Sequence, residues 1–181
     1  MKGKTSSAVK AYKRSPALPN STWYKGILIS QMAGPADNNG AFDIIVAKTK
    51  RGTEPPPHVH TREDEVFYLL EGEMTVYVDG EVFSVTAGEF VFLPRQTPHA
   101  FLIESEQTHV IAIITPGGFV DAVNKMNAPA ERMEFPSDKD VVTYATADLT
   151  ETMEIFEMHE VRLLTPDEVR TVMPQYPLPP A

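Results

Sequence analysis

With 181 residues, 42% of them hydrophobic and 23% charged, the chain is long enough for one domain with a real core and has an ordinary globular composition. Its 25 acidic residues against 16 lysines and arginines give a formal net charge of -9, which argues against a general nucleic-acid or anionic-membrane binder. There is no cysteine, so disulfides, thiolate ligands and thiol nucleophiles are excluded together.

Lys2, Lys4, Lys10, Lys13 and Arg14 lie in an opening stretch with no acid, and residues 1–20 read as a mobile basic arm. The apolar stretch of roughly 7–15 residues that marks a signal peptide does not follow before Pro16 and Pro19, and no run approaches the ~20 apolar residues needed to span a bilayer. A cytoplasmic location is the expectation.

Residues 21–116 read as a β-barrel. β-Branched and aromatic residues predict strands over 23–32 and 41–48, separated by the turn-forming stretch 34–40. Short strands are predicted over 65–70, 73–78, 81–85, 90–93, 99–103 and 108–115. Asp79-Gly80 is a two-residue hairpin signal, since both central positions of a type I′ turn need positive φ. Frequent turns between short strands imply a sandwich or barrel.

The composition changes at Pro116-Gly117-Gly118, and residues 117–181 are expected to form a helical extension packed on the barrel. Phe119, Val123 and Met126 fall at helical spacing. A second helix is expected from Asp148, with Glu151 three residues on and Leu149, Met153 and Phe156 on one stripe. Thr165-Pro166-Asp167-Glu168 combines an N-cap hydroxyl, a first-turn proline and an acid. Met126, Met133, Met153 and Met158 read as filler against the sheet, and 174–181 as an extended tail.

Three of the five histidines, His58, His60 and His99, stand with Glu65 in a glycine-framed pattern. The one-residue gap between His58 and His60 puts both rings on one face of a strand, because side chains alternate across the pleat. Glu65 and His99 open two further apolar strands and can reach the same space. Burying three imidazoles and a carboxylate without a shared partner would cost several kcal/mol, and a metal ion removes that cost. Imidazole nitrogen and carboxylate oxygen suit one divalent Zn, Fe, Ni, Mn or Cu ion.

Gly52, His58, His60, Glu65 and Gly72 match the first motif of the cupin superfamily, and Gly88, Pro94 and His99 resemble the second. The second motif departs from the usual form at Gln96, where glycine is common, and at Ile103, where asparagine often stands. The resemblance implies an all-β jelly-roll barrel, a double-stranded β-helix, with a few short C-terminal helices. It also implies that His58, His60, Glu65 and His99 coordinate the metal inside that barrel. The wider layout over residues 23–175 is similar to bacterial cupins related to quercetin dioxygenase. That similarity implies a metal-dependent dioxygenase using dioxygen on a small phenolic or enolisable substrate, with Glu65 also the base that takes the substrate's hydroxyl proton.

Strand alternation from Glu65 brings Phe67 and Leu69 to the interior, and from His99 it brings Phe101 and Ile103. Phe42, Ile44 and Val46 are expected on the opposite wall. Two rival readings stand beside the oxygenase: a metal-dependent isomerase of a small sugar or keto acid, and a barrel that binds a small molecule without reaction. No helix pair suited to DNA accompanies the barrel, and neither nucleic acid nor membrane is expected as a partner. A homodimer through an edge strand or the N-terminal segment is expected.

Overall fold

The computed structural model describes residues 8–137 and 142–178. Ten strands make the barrel: β1 (Ser21–Tyr24), β2 (Ile27–Ala33), β3 (Asp43–Lys50), β4 (His58–His60), β5 (Asp64–Glu71), β6 (Glu73–Val78), β7 (Glu81–Thr86), β8 (Phe90–Leu93), β9 (His99–Ile103) and β10 (Gln107–Thr115). A short helix, α1 (Pro35–Asn38), lies between β2 and β3. After the barrel come α2 (Phe119–Lys125), β11 (Ala128–Pro129), α3 (Leu149–Met158), β12 (Val161–Leu163) and α4 (Pro166–Val172).

The strands form two antiparallel sheets, ordered β11-β1-β2-β3-β10-β5-β8 and β12-β4-β9-β6-β7. One apolar cluster draws on both, with Ile29, Ile45 and Leu69 from the larger sheet meeting Met74, Val76 and Val85 from the smaller. This is the all-β jelly roll expected from the sequence. Asp79 and Gly80 both take positive φ between β6 and β7, as the hairpin requires.

The helix starts behave as their residues dictate. The Asp148 carboxylate accepts the Thr150 N–H at 2.9 Å. In α4 the Thr165 hydroxyl accepts the Glu168 N–H at 3.3 Å while the Glu168 carboxylate accepts the Thr165 N–H at 2.8 Å, a closed capping box. α4 lies with Val169 and Met173 on the outer face of the smaller sheet, against Tyr77 and Ala100.

Several local expectations fail. Residues 23–32 are a hairpin rather than one strand, turned by Lys25 and Gly26, both at positive φ. The methionine stripe packs only in part: Met126 lies against the core, whereas Met153 and Met158 are exposed, and α3 buries Thr152, Ile155 and Phe156 instead. The end of the chain bends at 173–176, which sets Tyr176 edge-on to Tyr77 at 5.3 Å, and residues 179–181 lie outside the described residues. So do residues 1–7 of the basic arm; further along, Arg14 pairs with Asp37 at 2.9 Å and bonds the Met32 carbonyl at 2.8 Å.

The phase of β3 is one residue away from the expectation. Asp43, Ile45, Ala47 and Thr49 face inward, so Phe42, Ile44 and Val46 do not line the interior, and Phe42 is 37% exposed. The strand is apolar on both faces, which deprives alternation of its signal. The outer face of the larger sheet carries two cross-strand apolar rows, Phe92–Val66–Ile113–Ile44 and Phe90–Tyr68–Ile111–Val46. The observed phase predicts that Ile45→Ala costs about 2–5 kcal/mol, as for other buried large-to-small changes, and Ile44→Ala less than half as much. Denaturant unfolding of the two variants checks it, and the reverse order would contradict the register.

Candidate metal centre

The HxH pair occupies the whole of β4, a central strand of the smaller sheet. On one side His58 stands opposite His99 of β9; on the other, Val161 and Leu163 of β12 stand opposite His60 and His58. The late strand β12 therefore covers what would otherwise be the edge of the histidine strand. Glu65 comes from β5 in the larger sheet, so the four groups meet across the barrel rather than along one sheet. All four side chains are buried, and one donor atom from each lies within 4.8 Å of every other.

The ring orientations follow from hydrogen bonding. The Nδ1–H of His58 donates to the Pro56 carbonyl at 2.9 Å, and that of His99 to the Thr97 carbonyl at 3.0 Å. A carbonyl can only accept, so both protons sit on Nδ1 and both Nε2 atoms carry lone pairs. His60 Nδ1 has the carboxylate of buried Glu63 at 3.4 Å; the contact is too long for a strong hydrogen bond, but these two atoms have no other polar partner among the described residues.

The Nε2 lone pairs of His58 and His99 thus face each other at 3.2 Å, with the Glu65 carboxylate 3.6 Å from His99 Nε2. Two bare lone pairs at that separation repel. The separation suits neighbouring donors on one ion, which stand roughly 3.0–3.4 Å apart when each is about 2.1 Å from the metal. The residues therefore fit a divalent cation, with carbonyls of the chain and Glu63 holding the rings from behind.

Burial holds the His58 imidazole well below the ordinary histidine range, with the neighbouring His99 and His60 adding to the effect. Burial, then His60, lowers His99 to about 4. Both rings are neutral at physiological pH, the form that binds metal. Burial raises Glu65 above the ordinary carboxylate range, and His60 partly offsets it.

His58, His60 and Glu65 of the cluster form part of the wall of a cavity of about 110 Å3. Of the expected lining residues, Phe67 and Phe101 are there, edge to face at 5.3 Å. Leu69 and Ile103 are buried without reaching it, and from β3 the lining is Ile45, Ala47 and Thr49 in place of Phe42, Ile44 and Val46. Residues beyond the barrel also line it: Phe119, Tyr144, Phe156 and Val161. The Phe119 ring lies 4.9 Å from that of His60 and 6.1 Å from that of Phe156.

Glu63, Tyr24 and Tyr144 were not singled out by sequence reasoning. Glu63 reads as one more surface acid in the charged run 62–65, although its side chain is 1% exposed. Gln96, the departure in the second motif, holds φ at +63°, a conformation in which glycine is unstrained, and its N–H bonds the His60 carbonyl at 2.7 Å. The turn before His99 is thereby tied to the histidine strand.

Two outcomes follow. Glu63→Ala, by freeing the His60 ring, should weaken metal affinity on the order of 10- to 100-fold, as read by chelator competition. In metal-free protein the lowered His58 and His99 values favour the folded state less as pH falls. Above about 6.5 the two rings are neutral in both states; below it the unfolded rings take up protons that the folded ones refuse, down to about 4 for His99. The melting temperature of metal-stripped protein should fall across that window, with Glu65 acting in the opposite sense as it gains its proton, and a flat profile would contradict buried neutral rings.

Residues 46–115 match the family described as the cupin domain. Quercetin 2,3-dioxygenase of Bacillus subtilis (strain 168) is 26% identical over 113 residues, covering 62% of this chain and 34% of that protein. Quercetin 2,3-dioxygenase of Aspergillus japonicus is 24% identical over 139 residues, 66% of this chain and 40% of that protein. The chain thus spans well under half the length of these two relatives. The solved RmlC-like cupin from Shewanella frigidimarina NCIMB 400 shares the fold, with a TM-score of 0.50 and 23% identity over 59% of this chain and 93% of that one. The jelly roll, the His and Glu residues meeting inside it and the match over 46–115 make the barrel of this chain a cupin domain.

Proposed function

We propose that this cupin binds one divalent transition metal through His58, His60, Glu65 and His99 and acts as a dioxygenase on a small phenolic or enolisable substrate. The observation that carries the metal is the pair of inward Nε2 lone pairs, fixed by Pro56 and Thr97, beside a buried carboxylate. The two quercetin dioxygenase relatives support the reaction class. The mainly apolar lining supports it too, because an isomerase of sugars would want more hydroxyl-binding groups than Thr49, Tyr24 and Tyr144 where this cavity has Ile29, Ile45, Val110 and Ile114.

A bound metal would supply Lewis acidity toward a substrate oxygen. The protein's own part is to hold that oxygen among neutral imidazoles and to receive its proton. Glu65 is the group placed to do so, since burial raises its proton affinity and no other carboxylate among the described residues lines the cavity. Phe67, Phe101 and Phe119 exclude water and flank a planar substrate.

Elemental analysis of protein purified without added metal is expected to find Fe, Ni, Mn or Cu near one per chain; a protein that takes up no metal would overturn the reading. Oxygen consumption is followed with single-ring phenols, short 1,3-diketones and a flavonol, the cavity of about 110 Å3 favouring the smaller compounds. Glu65→Gln should lower turnover more than metal content, and equal loss of both would leave Glu65 as a ligand alone.

A further inference from the structure

The cavity has a second polar feature besides the histidines and Glu65. Tyr24 ends β1 at the hairpin tip beside Ile27, near the Lys48 end of β3, whereas Glu65 is level with Ile114 and Asp43 at the other end of that strand. Tyr144 reaches the same place from the segment after the barrel, and its ring meets that of Tyr24 edge-on at 6.1 Å. Both residues line the cavity, both are buried, and their hydroxyls are hydrogen-bonded to each other.

A count of protons shows what this pair lacks. Two phenols carry two O–H protons, and the bond between them uses one. The second has no acceptor among the described residues. Burial raises both phenols above the ordinary tyrosine range, so neither proton is lost near neutral pH. A buried O–H without an acceptor is costly, and the remaining cavity wall around it is almost wholly apolar.

We propose that Tyr24 and Tyr144 form a hydrogen-bond donor site for the ligand of this cavity, which is a single-ring or similarly short molecule with one oxygen for the histidine and Glu65 end and an acceptor oxygen at the other. The proposal rests on the reading of the cavity as the substrate site. The size limit comes from the cavity itself: about 110 Å3 compares with the roughly 150 Å3 engineered apolar cavity that takes up benzene. The spare proton sets the second condition, because a ligand with only methyl groups there leaves it unpaired.

The test compares 4-hydroxybenzaldehyde with 4-methylphenol, which have nearly the same shape and differ in the acceptor oxygen. Binding to zinc-loaded protein, wild type and Tyr24→Phe/Tyr144→Phe, is measured by calorimetry. The double variant removes both partners of a buried hydrogen bond at constant shape, a change that is close to neutral for folding, and its melting temperature verifies this. A single variant would leave one hydroxyl able to serve the ligand.

Because the aldehyde also acidifies the phenol, the readout is the ratio of the two dissociation constants in each protein. That ratio should change about tenfold in the double variant, through weaker aldehyde binding with 4-methylphenol unchanged. An unchanged ratio overturns the tyrosine site and leaves the functional reading standing. Failure of both compounds to bind wild type overturns the cavity as the substrate site, and the tyrosine proposal with it.

Discussion

Three buried imidazoles, two of them with the outer nitrogen already committed, are the constraint on which this structure turns. Pro56 and Thr97 accept the Nδ1 protons of His58 and His99 from within two residues of each ring, so short-range backbone geometry alone decides the tautomer. The inner nitrogens are then bare acceptors in a space where they meet only each other and a carboxylate. Desolvated acceptors with nothing to accept cost more than the barrel's local packing returns. The arrangement fits a cation held by all four groups.

The surrounding architecture serves that arrangement. β4 is only three residues long and could not hold two rings in place as a free edge; β12 pairs with it on one side and β9 on the other. The Gln96 N–H bonds the His60 carbonyl, and Phe119 lies on the His60 ring. Asp43, wholly buried at the start of β3, accepts the Gly118 and Val120 N–H groups at 2.9 Å and so fixes the turn that presents Phe119. Gly117 belongs to this turn because a Cβ there would sit 2.7 Å from the Asp43 carboxylate. Residues well beyond the matched segment 46–115 therefore take part in shaping the centre.

The four residues of the candidate site, which the fold does bring together, were legible in the sequence because their chemistry and their spacing point the same way: HxH on a strand can only mean two rings on one face. The barrel was legible for a similar reason, since Asp79-Gly80 and the short alternating runs agree with one another, and β6, β8 and β9 begin and end where the pattern places them. What was lost is what a local pattern does not encode. β3 is apolar on both faces, so its phase is set by pairing with β10 and β2 rather than by its own residues. Lys25-Gly26 turns a hairpin without an asparagine or aspartate to announce it. Glu63 looks solvated until the fold buries it, and Tyr24 and Tyr144 lie 120 residues apart in sequence. β12 is a strand because β4 needs a neighbour.

Polar groups at separate places in an apolar cavity divide the work of selection. Methylene contacts with walls such as Ala47, Val110 and Ala112 discriminate weakly, by about 1–3 kcal/mol per group gained or lost, and chiefly limit size. A hydrogen-bonding group in the same dry space discriminates more strongly, because a ligand that fails to match it leaves a desolvated donor or acceptor behind. On the proposed reading, the histidines and Glu65 with their cation would select an oxygen, and the phenol pair, completed only once the later chain has folded back, would select an acceptor.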